Sequence, residues 1–125
     1  MAIPSDLQYS SDHEWIRVEG RNARIGITDY AQDALGDIVF VQIPEIGLSV
    51  VAGTSFSEVE STKSVSDIFA PVSGAIVAVN NALSDSPELL NADPYGEGWL
   101  CVIEMSDTTQ LSALMTDEQY SALVS

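Results

Sequence analysis

Short runs in which hydrophobic and polar residues alternate, separated by glycine, proline and asparagine turns, occupy most of the chain. The pattern predicts strands at residues 14–19, 23–27, 38–43, 49–52, 55–60, 65–70, 75–79 and 99–105. Short strands with a turn about every eight to twelve residues are typical of a small all-β barrel or sandwich. The last run is continuously apolar from residue 99 to residue 103 and includes Cys101, which indicates a central strand with the cysteine as a core residue.

Helical patterns are confined to short segments between and after these strands. Thr28 offers an N-cap and Gly36 a C-terminal glycine, which predicts one or two helical turns between them. A further helical turn is predicted around residues 86–90, followed by a loop over 91–98. Residues 108–124 place apolar side chains at helical spacing and predict a C-terminal helical appendage, with a capping box formed by Thr116 and Gln119.

Length and charge limit the kinds of protein to consider. The chain has 125 residues, 46% of them hydrophobic, which is enough for one domain, residues 1–125, with its own core. Nineteen acidic residues against four basic ones give a net charge of −15. This charge repels phosphate backbones and anionic membranes, so we expect neither nucleic acid nor a membrane as a partner.

Few residues are suited to metal binding or to disulfide formation. One cysteine and one histidine leave no disulfide framework and no zinc motif, so we expect no metal site. The first residues lack a basic segment followed by an apolar run, and no apolar run is long enough to span a bilayer. We expect a monomer in a bacterial cytoplasm. A mitochondrial matrix location would require that a presequence had been removed.

Lys63 is the only lysine in the chain. It lies in the small, polar segment 61–64, between two predicted strands, and therefore at the tip of a predicted hairpin spanning residues 58–68. A lysine that is to be modified must be accessible to an enzyme, and the tip of a rigid hairpin provides that access. The alternative is an ordinary solvated lysine among acidic residues.

Five segments of the chain together carry a family resemblance. Residues 58–67 (EVESTKSVSD) are followed by 70–74 (APVSG), and the chain also contains HEW at 13–15, GITDYAQ at 26–32 and NADPYGEGWL at 91–100. Taken in their order along the chain, these segments resemble the glycine cleavage system H protein family, a family of lipoyl carriers, over essentially the whole chain. Biotin carriers usually flank their lysine with methionines, whereas Thr62 and Ser64 flank Lys63.

The resemblance implies a fold and a function. The fold is a mainly β, flattened hybrid of barrel and sandwich, like other lipoyl and biotinyl carriers, with short peripheral helices. The function is that of a carrier and not of an enzyme, with lipoate joined to Lys63 by an amide. The arm receives the methylamine of glycine from a pyridoxal-phosphate glycine decarboxylase (P protein). It passes this group to a tetrahydrofolate-dependent aminomethyltransferase (T protein) and is reoxidised by dihydrolipoyl dehydrogenase (L protein).

The resemblance also implies roles for individual residues. A lipoate ligase, or an octanoyltransferase with lipoyl synthase, modifies Lys63, and the candidates for recognition by that enzyme are Glu58, Glu60 and Gly74. The candidates for a cleft that holds the cationic amine of the loaded arm are Glu14, Asp67 and Asp12. Position 12 has a small hydroxyl residue in some members, and Ala34 stands where some have histidine. Without the resemblance, Glu14 and Asp67 are two solvated carboxylates among nineteen acidic residues.

Three aromatic residues in the matching segments are interpreted as structural. A general-base role for His13 is not supported, because the sequence offers no nucleophile or orienting partner for it. We expect it to be a structural residue next to Trp15. Trp15 and Trp99 are both expected to be core aromatics.

Two other functions remain open at the level of sequence. One is a lipoyl-relay protein of the same family that donates lipoate to 2-oxoacid dehydrogenases. The other is an unmodified acidic β-barrel that acts as a binding module, with Lys63 incidental. An enzyme acting alone is the least supported, because no nucleophile, acid–base pair or metal cluster stands out.

Overall fold

Two antiparallel sheets make up most of the computed structural model, which describes residues 2–125 and leaves Met1 outside the described residues. The strands are β1 (Gln8–Tyr9), β2 (Glu14–Glu19), β3 (Asn22–Ile27), β4 (Ile38–Val41), β5 (Ser49–Val50), β6 (Ser55–Ser61), β7 (Val65–Phe69), β8 (Gly74–Val79) and β9 (Cys101–Met105). The first sheet has the strand order β1-β2-β3-β9-β8-β5, and the second has the order β4-β6-β7. The mainly β prediction is therefore confirmed.

One hydrophobic core joins the two sheets. Ile25 and Ile103 from the six-stranded sheet belong to the same buried cluster as Val41, Val59 and Ile68 from the three-stranded sheet. Because side chains alternate between the two faces of a strand, each sheet covers this core with one face and exposes much of the other. Cys101 is fully buried at the start of β9, which lies between β3 and β8, as the apolar run predicts.

Four short α-helices and one 3-10 helix connect and follow the strands of the described chain. They are α1 (Asp29–Leu35), α2 (Ala82–Asp85), α3 (Leu89–Ala92), the 3-10 helix (Thr108–Ala113) and α4 (Asp117–Val124). Thr28 caps α1 by accepting a hydrogen bond from the N–H of Ala31, and Gly36 ends it with φ +84°. Both ends of α1 and the capping box of Thr116 and Gln119 on α4 are confirmed.

The segment after β8 differs from the prediction of one helical turn and a loop. Two helical turns form instead, α2 before residue 86 and α3 from Leu89 onward, because Leu83 and Leu90 are both fully buried and each anchors a turn on the core. The side-chain amide of Asn80 donates to the carbonyl oxygens of Glu97 and Trp99 and so closes the following loop. Helix α3 therefore includes Asn91, which the sequence pattern assigned to a loop.

Several strand ends also differ from the predicted bounds. Strand β4 ends at Val41, two residues early, and β9 begins at Cys101 and not at residue 99. Strand β1 was not predicted, and Tyr9 pairs with Trp15 on one side and with Met115 on the other. This bridge interrupts the C-terminal appendage between the 3-10 helix and α4. Among residues 2–125, no helix is long and apolar enough to cross a membrane.

Candidate functional site

Lys63 lies at the exposed tip of the β6–β7 hairpin, as the sequence predicts. Pairing of the two strands continues to Glu60 and Val65, the last pair before the turn. The Oγ of Ser61 accepts hydrogen bonds from the backbone N–H groups of Lys63 and Ser64, both at 3.1 Å. The turn thus satisfies its own backbone donors with a small side chain, and no bulky residue of the turn stands beside the lysine.

The hairpin tip rests on the end of α1. The backbone N–H of Thr62 donates to the carbonyl oxygen of Asp37 at 3.0 Å. The side chain of Lys63 passes over Gly36, since a Cβ placed on Gly36 would lie 3.0 Å from Cε and 3.6 Å from Nζ. Glycine is therefore needed at position 36 for two reasons, its positive φ and the space occupied by the lysine stem.

A single carboxamide holds this support in place. Oδ1 of Asn91, on α3, accepts from the N–H of Ile38 at 2.9 Å, while its Nδ2 donates to the carbonyl oxygen of Gly36 at 2.9 Å. The same Nδ2 also donates to Oε1 of Gln32 on α1 at 3.0 Å. The lysine therefore projects from a hairpin that is connected to α1, α3 and β4, which favours a defined position of its Cα.

Acidic residues line the outer face of the three-stranded sheet next to Lys63. Glu58 is directly opposite Asp67, and Glu60 is directly opposite Val65. The alternate residues on β6 and β7, such as Val59, point into the core. Glu58 and Asp67 are exposed and Glu60 is half-buried, so the two recognition candidates and one cleft candidate share a single solvent-facing surface.

Glu14 is almost completely buried, with 2% of its surface exposed. Its Oε1 accepts a hydrogen bond from Ser10 Oγ at 2.5 Å, and its Oε2 accepts one from the backbone N–H of Phe69 at 3.4 Å. Burial raises the pKa of the Glu14 carboxyl to about 7; the hydrogen bonds from Ser10 and Phe69 oppose this, and the charge of Asp12 adds to it. The interpretation of Glu14 as a solvated carboxylate is therefore wrong.

The other two cleft candidates are exposed. Asp12 precedes Glu14 by two residues, and its charge acts on the Glu14 carboxyl. Asp67 lies on β7 two residues before Phe69, the backbone partner of Glu14. The structure therefore places the buried Glu14 carboxyl at the end of β7 away from Lys63, with the exposed Asp67 in the middle of that strand and the exposed Asp12 two residues before Glu14.

Two elements run between Glu14 and Lys63. Strand β7 begins just after Lys63 and ends at Phe69, which contacts Glu14, and its five residues span about 13 Å. Helix α1 begins after Ile27, the strand partner of Glu14, and ends at Gly36 beneath the lysine. The buried carboxyl and the exposed amine thus lie at opposite ends of the same pair of elements.

His13 has a structural role, as expected, but its partners are tyrosines and not Trp15. Its Nδ1 lies 2.8 Å from the hydroxyl of Tyr120, and its ring packs on Tyr30 with the centroids 4.8 Å apart. Burial lowers the pKa of the imidazole, and the charge of Asp12 opposes this. The residue also adopts φ +69°, which fixes the turn that leads into Glu14.

The two tryptophans differ in burial. Trp15 is fully buried and donates through Nε1 to the carbonyl oxygen of Pro94 at 2.8 Å. Trp99 is only half-buried, so its prediction as a core residue is wrong. Its ring packs at the edge of a second buried cluster, which contains Tyr9, Trp15 and Tyr120, and the guanidinium of Arg24 covers the ring at 4.7 Å from its centroid. Because the Arg24 cation interacts favourably with one face of the indole, the Trp99 ring is stabilised without being enclosed in the core.

Gly74 lies on β8, in the six-stranded sheet. Along the chain it follows the end of β7 that lies away from Lys63. A Cβ on Gly74 would overlap the carbonyl oxygen of Glu104 on the neighbouring strand β9. The close approach of the two strands therefore requires glycine here, independently of any enzyme. A surface cavity of about 460 Å³ adjoins this residue and also lies away from the hairpin tip.

Three neighbours of the site were not predicted from the sequence. They are Ser10, which binds the Glu14 carboxyl, Gly36 beneath the lysine, and Phe40, which lies opposite Glu60 on the outer face. The only available signal was for Gly36, which was identified as a helix end but not as a contact of Lys63. An exposed primary amine on a supported turn fits the attachment of an acyl group such as lipoate.

Comparison with known proteins gives one consistent family. The family model described as glycine cleavage H-protein matches residues 7–125. A glycine cleavage system H protein from Anoxybacillus flavithermus is 52% identical over 124 residues, which cover 99% of this chain and 98% of that protein. One from Mycobacterium avium is 57% identical over 115 residues, covering 91% of this chain and 87% of that protein.

A solved structure gives the same result at the level of the fold. The crystal structure of a glycine cleavage system H protein from Mycobacterium marinum matches with a TM-score of 0.88 and 48% sequence identity. The match covers 96% of this chain and 97% of that one. It confirms the hybrid of barrel and sandwich that the sequence resemblance implied.

Proposed function

The chain belongs to the glycine cleavage H-protein family, whose members are non-catalytic carriers, and we propose that it carries lipoate as an amide on Lys63. The observation that carries this proposal is the position of the only lysine, exposed at the tip of a hairpin that is itself supported by α1. When attached, the dithiolane of lipoate supplies a disulfide that can accept the methylamine group of glycine and carry electrons. Amide formation removes the lysine charge and lengthens the side chain.

The protein itself contributes presentation. Since the tip is hydrogen-bonded to Asp37 and packed over Gly36, the base of the arm is fixed while its outer part is free to move. Because the lipoyl group is tethered to the docked carrier, it meets each active site at a high effective concentration. We infer that the chain presents the arm in turn to glycine decarboxylase, aminomethyltransferase and dihydrolipoyl dehydrogenase.

Charge supports brief encounters with these enzymes. The net charge of −15 attracts basic patches on partner enzymes to this protein. Complementary charge raises association rates more than it raises affinity, which suits a carrier that must leave each partner quickly. The two relatives compared above come from bacteria, which supports placing this carrier in a bacterial cytoplasm; we propose that it acts there as a monomer.

Glu14, Asp67 and Asp12 would hold the cationic amine of the cargo. A lipoyl-lysine arm has about a dozen bonds of about 1.5 Å each, a reach of roughly 14 Å, which matches the length of β7 between Lys63 and Glu14. A partly desolvated carboxylate binding a cationic amine contributes roughly 1.5–3 kcal/mol. Because Glu14 is buried and Asp67 and Asp12 are exposed, we expect Glu14 to provide most of that energy.

Glu58 and Glu60 are proposed to be recognised by the enzyme that attaches lipoate. Both lie on β6 within five residues of Lys63, and their side chains share the outer face of the sheet. Gly74 is proposed to act indirectly, by allowing β8 to pack against β9 and so holding the fold that presents the hairpin. The attaching enzyme is either a lipoate ligase or an octanoyltransferase followed by lipoyl synthase.

Reconstitution of glycine cleavage tests this function. The lipoylated chain is mixed with the three enzymes, glycine, tetrahydrofolate and NAD, and NADH formation is followed. We expect turnover that depends on this chain and on its lipoylation, with unmodified protein as the control. If the lipoylated chain supported no turnover but passed its lipoyl group to a 2-oxoacid dehydrogenase domain, the relay function would replace this proposal.

A further inference from the structure

Two large apolar side chains are exposed beside the hairpin tip, on the outer face of the three-stranded sheet. Phe40 on β4 is 51% exposed and Val65 on β7 is 58% exposed. Phe40 pairs with Glu60, and Glu60 pairs with Val65, so the three residues form a single row across the sheet. We call these three residues the Phe40 row.

The row lies at the end of the sheet closest to Lys63. Glu60 and Val65 are the last strand pair before the turn that carries the lysine. The next outward-facing pair along the sheet is Glu58 and Asp67, both exposed. The surface next to the lysine therefore includes two apolar side chains with the Glu60 carboxylate between them and the Glu58 and Asp67 carboxylates alongside.

We propose that the Phe40 row is the docking surface of the enzyme that attaches lipoate to Lys63, an inference that rests on the proposed function. The surface fits a partner with an apolar pocket bordered by basic residues. Exposed apolar groups bordered by charge are typical of protein contact sites, and aromatic side chains are common anchors at their centres. The carboxylates would orient the approaching enzyme, and Phe40 and Val65 would hold it in the complex.

The position of the amine favours the attaching enzyme over the three later partners. Nζ of the unmodified lysine lies close to Gly36, so an enzyme that acts on Nζ must bring its active site to the protein surface. The later enzymes act on sulfur atoms that are several further bonds from Nζ on a flexible arm. They can reach these atoms without contact with the sheet, whereas the attaching enzyme cannot avoid the residues beside the turn.

The step that the docked complex performs is acyl transfer. A lipoate ligase first converts lipoate and ATP to lipoyl-adenylate and pyrophosphate. The neutral amine of Lys63 then attacks the acyl carbon, the C–N amide bond forms, the C–O bond to AMP breaks, and AMP leaves. Two protons are released, one when the Lys63 ammonium becomes the neutral amine and one from the nitrogen as the amide forms, and both pass to bases of the ligase or to solvent.

The test measures initial rates of lipoylation with lipoate–protein ligase, ATP and lipoate, by intact mass, as a function of carrier concentration. The variant is Phe40→Thr with Val65→Thr, which places threonine, a β-branched residue that favours strands, at both positions while removing most of the apolar surface. The control is Leu48→Thr with Val77→Thr, which changes two apolar residues, each 41% exposed, at or near β8 of the other sheet. Melting temperatures of both variants establish that they are folded.

We expect the Phe40 row variant to raise KM for the carrier roughly tenfold with little change in kcat, and the control to stay within about twofold of wild type. Equal KM values for the variant and the wild type would overturn the docking surface. The variant could also be lipoylated normally while its lipoylated form supports only slow glycine decarboxylation by the decarboxylase. That result would assign the row to contact with the decarboxylase and would overturn its proposed role in docking the attaching enzyme. Failure of the wild type to become lipoylated would overturn the proposed function as well.

The charge within the row is tested separately with Glu60→Gln. This change removes one charge from the row and keeps the shape of the side chain. We expect a KM increase of about threefold at low salt that disappears at high salt, where surface charges are screened. A salt-independent change in KM would contradict the orienting role of the carboxylate.

Discussion

The carboxyl group of Glu14, on β2 of the six-stranded sheet, accepts a hydrogen bond from the backbone N–H of Phe69, the last residue of β7 in the three-stranded sheet. The link joins the two sheets at the end of β7 that lies away from Lys63. Because the same carboxyl group is buried and bonded to Ser10, its charge state affects both the stability of the fold and the proposed binding of the cargo amine.

Glu14 is expected to make stability depend on pH. Its pKa is raised from 4.5 to about 7 in the folded protein, so the folded state binds a proton more tightly than the unfolded state. The contribution of the protonated Glu14 carboxyl to the free energy of unfolding is complete below pH 4.5 and is lost as pH rises through 7. The free energy of unfolding falls by about 3 kcal/mol at most over this range. Replacing Glu14 with Gln should remove this loss, so that the variant gains in Tm relative to wild type between pH 5 and pH 8.

The comparison is made by thermal unfolding at several pH values, with Glu58→Gln as an exposed control on β6. Glu58→Gln should show the same pH dependence of Tm as the wild type. A Tm difference between Glu14→Gln and wild type that stays constant from pH 5 to pH 8 would show that Glu14 does not titrate in this range.

The contact between Gly36 and the lysine stem gives a second prediction. Alanine at position 36 would have to adopt φ +84°, at a cost of about 1–2 kcal/mol, and its methyl group would press on Cε of Lys63. We expect Gly36→Ala to lower Tm and also to slow lipoylation roughly threefold or more, because the amine is displaced from its usual position.

Gly53→Ala is the matched control for this change. Gly53 has nearly the same φ, +86°, but a Cβ there would meet nothing within 4 Å. It should lose similar stability without slowing lipoylation of the folded protein. Equal lipoylation rates for the two variants would show that the contact with Gly36 does not position the lysine.

Gly74 is expected to act on the fold and not on recognition. A methyl group there would overlap the Glu104 carbonyl oxygen in a paired strand, so Gly74→Ala should lower the free energy of unfolding by about 2 kcal/mol or more. Urea unfolding measures the loss. At a temperature where the variant is still folded, KM for the lipoate ligase should equal that of wild type; a raised KM would instead support direct recognition.

The hairpin and its lysine were predictable because their signals are local. Alternation on both sides of a small polar turn specifies the β6–β7 pair, and the Thr28 and Gly36 signals specify both ends of α1. Strand β1 was not predictable in the same way. It has two residues, and Tyr9 is held by Met115, more than a hundred positions away.

The surroundings of the site depend on distant packing. Burial of Glu14 cannot be inferred from an alternating strand, because Glu14, Trp15 and Ile16 are buried in succession where both faces of β2 are covered. Exposure of Phe40 follows from an irregularity in the β4–β6 register between Ile38 and Phe40. Such an irregularity changes which residues face outward, and the sequence pattern does not reveal it.

The measurement that tests the central claim most directly is the intact mass of the protein after incubation with lipoate, ATP and lipoate–protein ligase. Wild type should gain one lipoyl group, roughly 190 Da, and Lys63→Arg, which keeps the charge, should gain nothing. A wild type that stays unmodified while a control carrier is lipoylated, or a Lys63→Arg variant that still gains the group, would contradict attachment at Lys63.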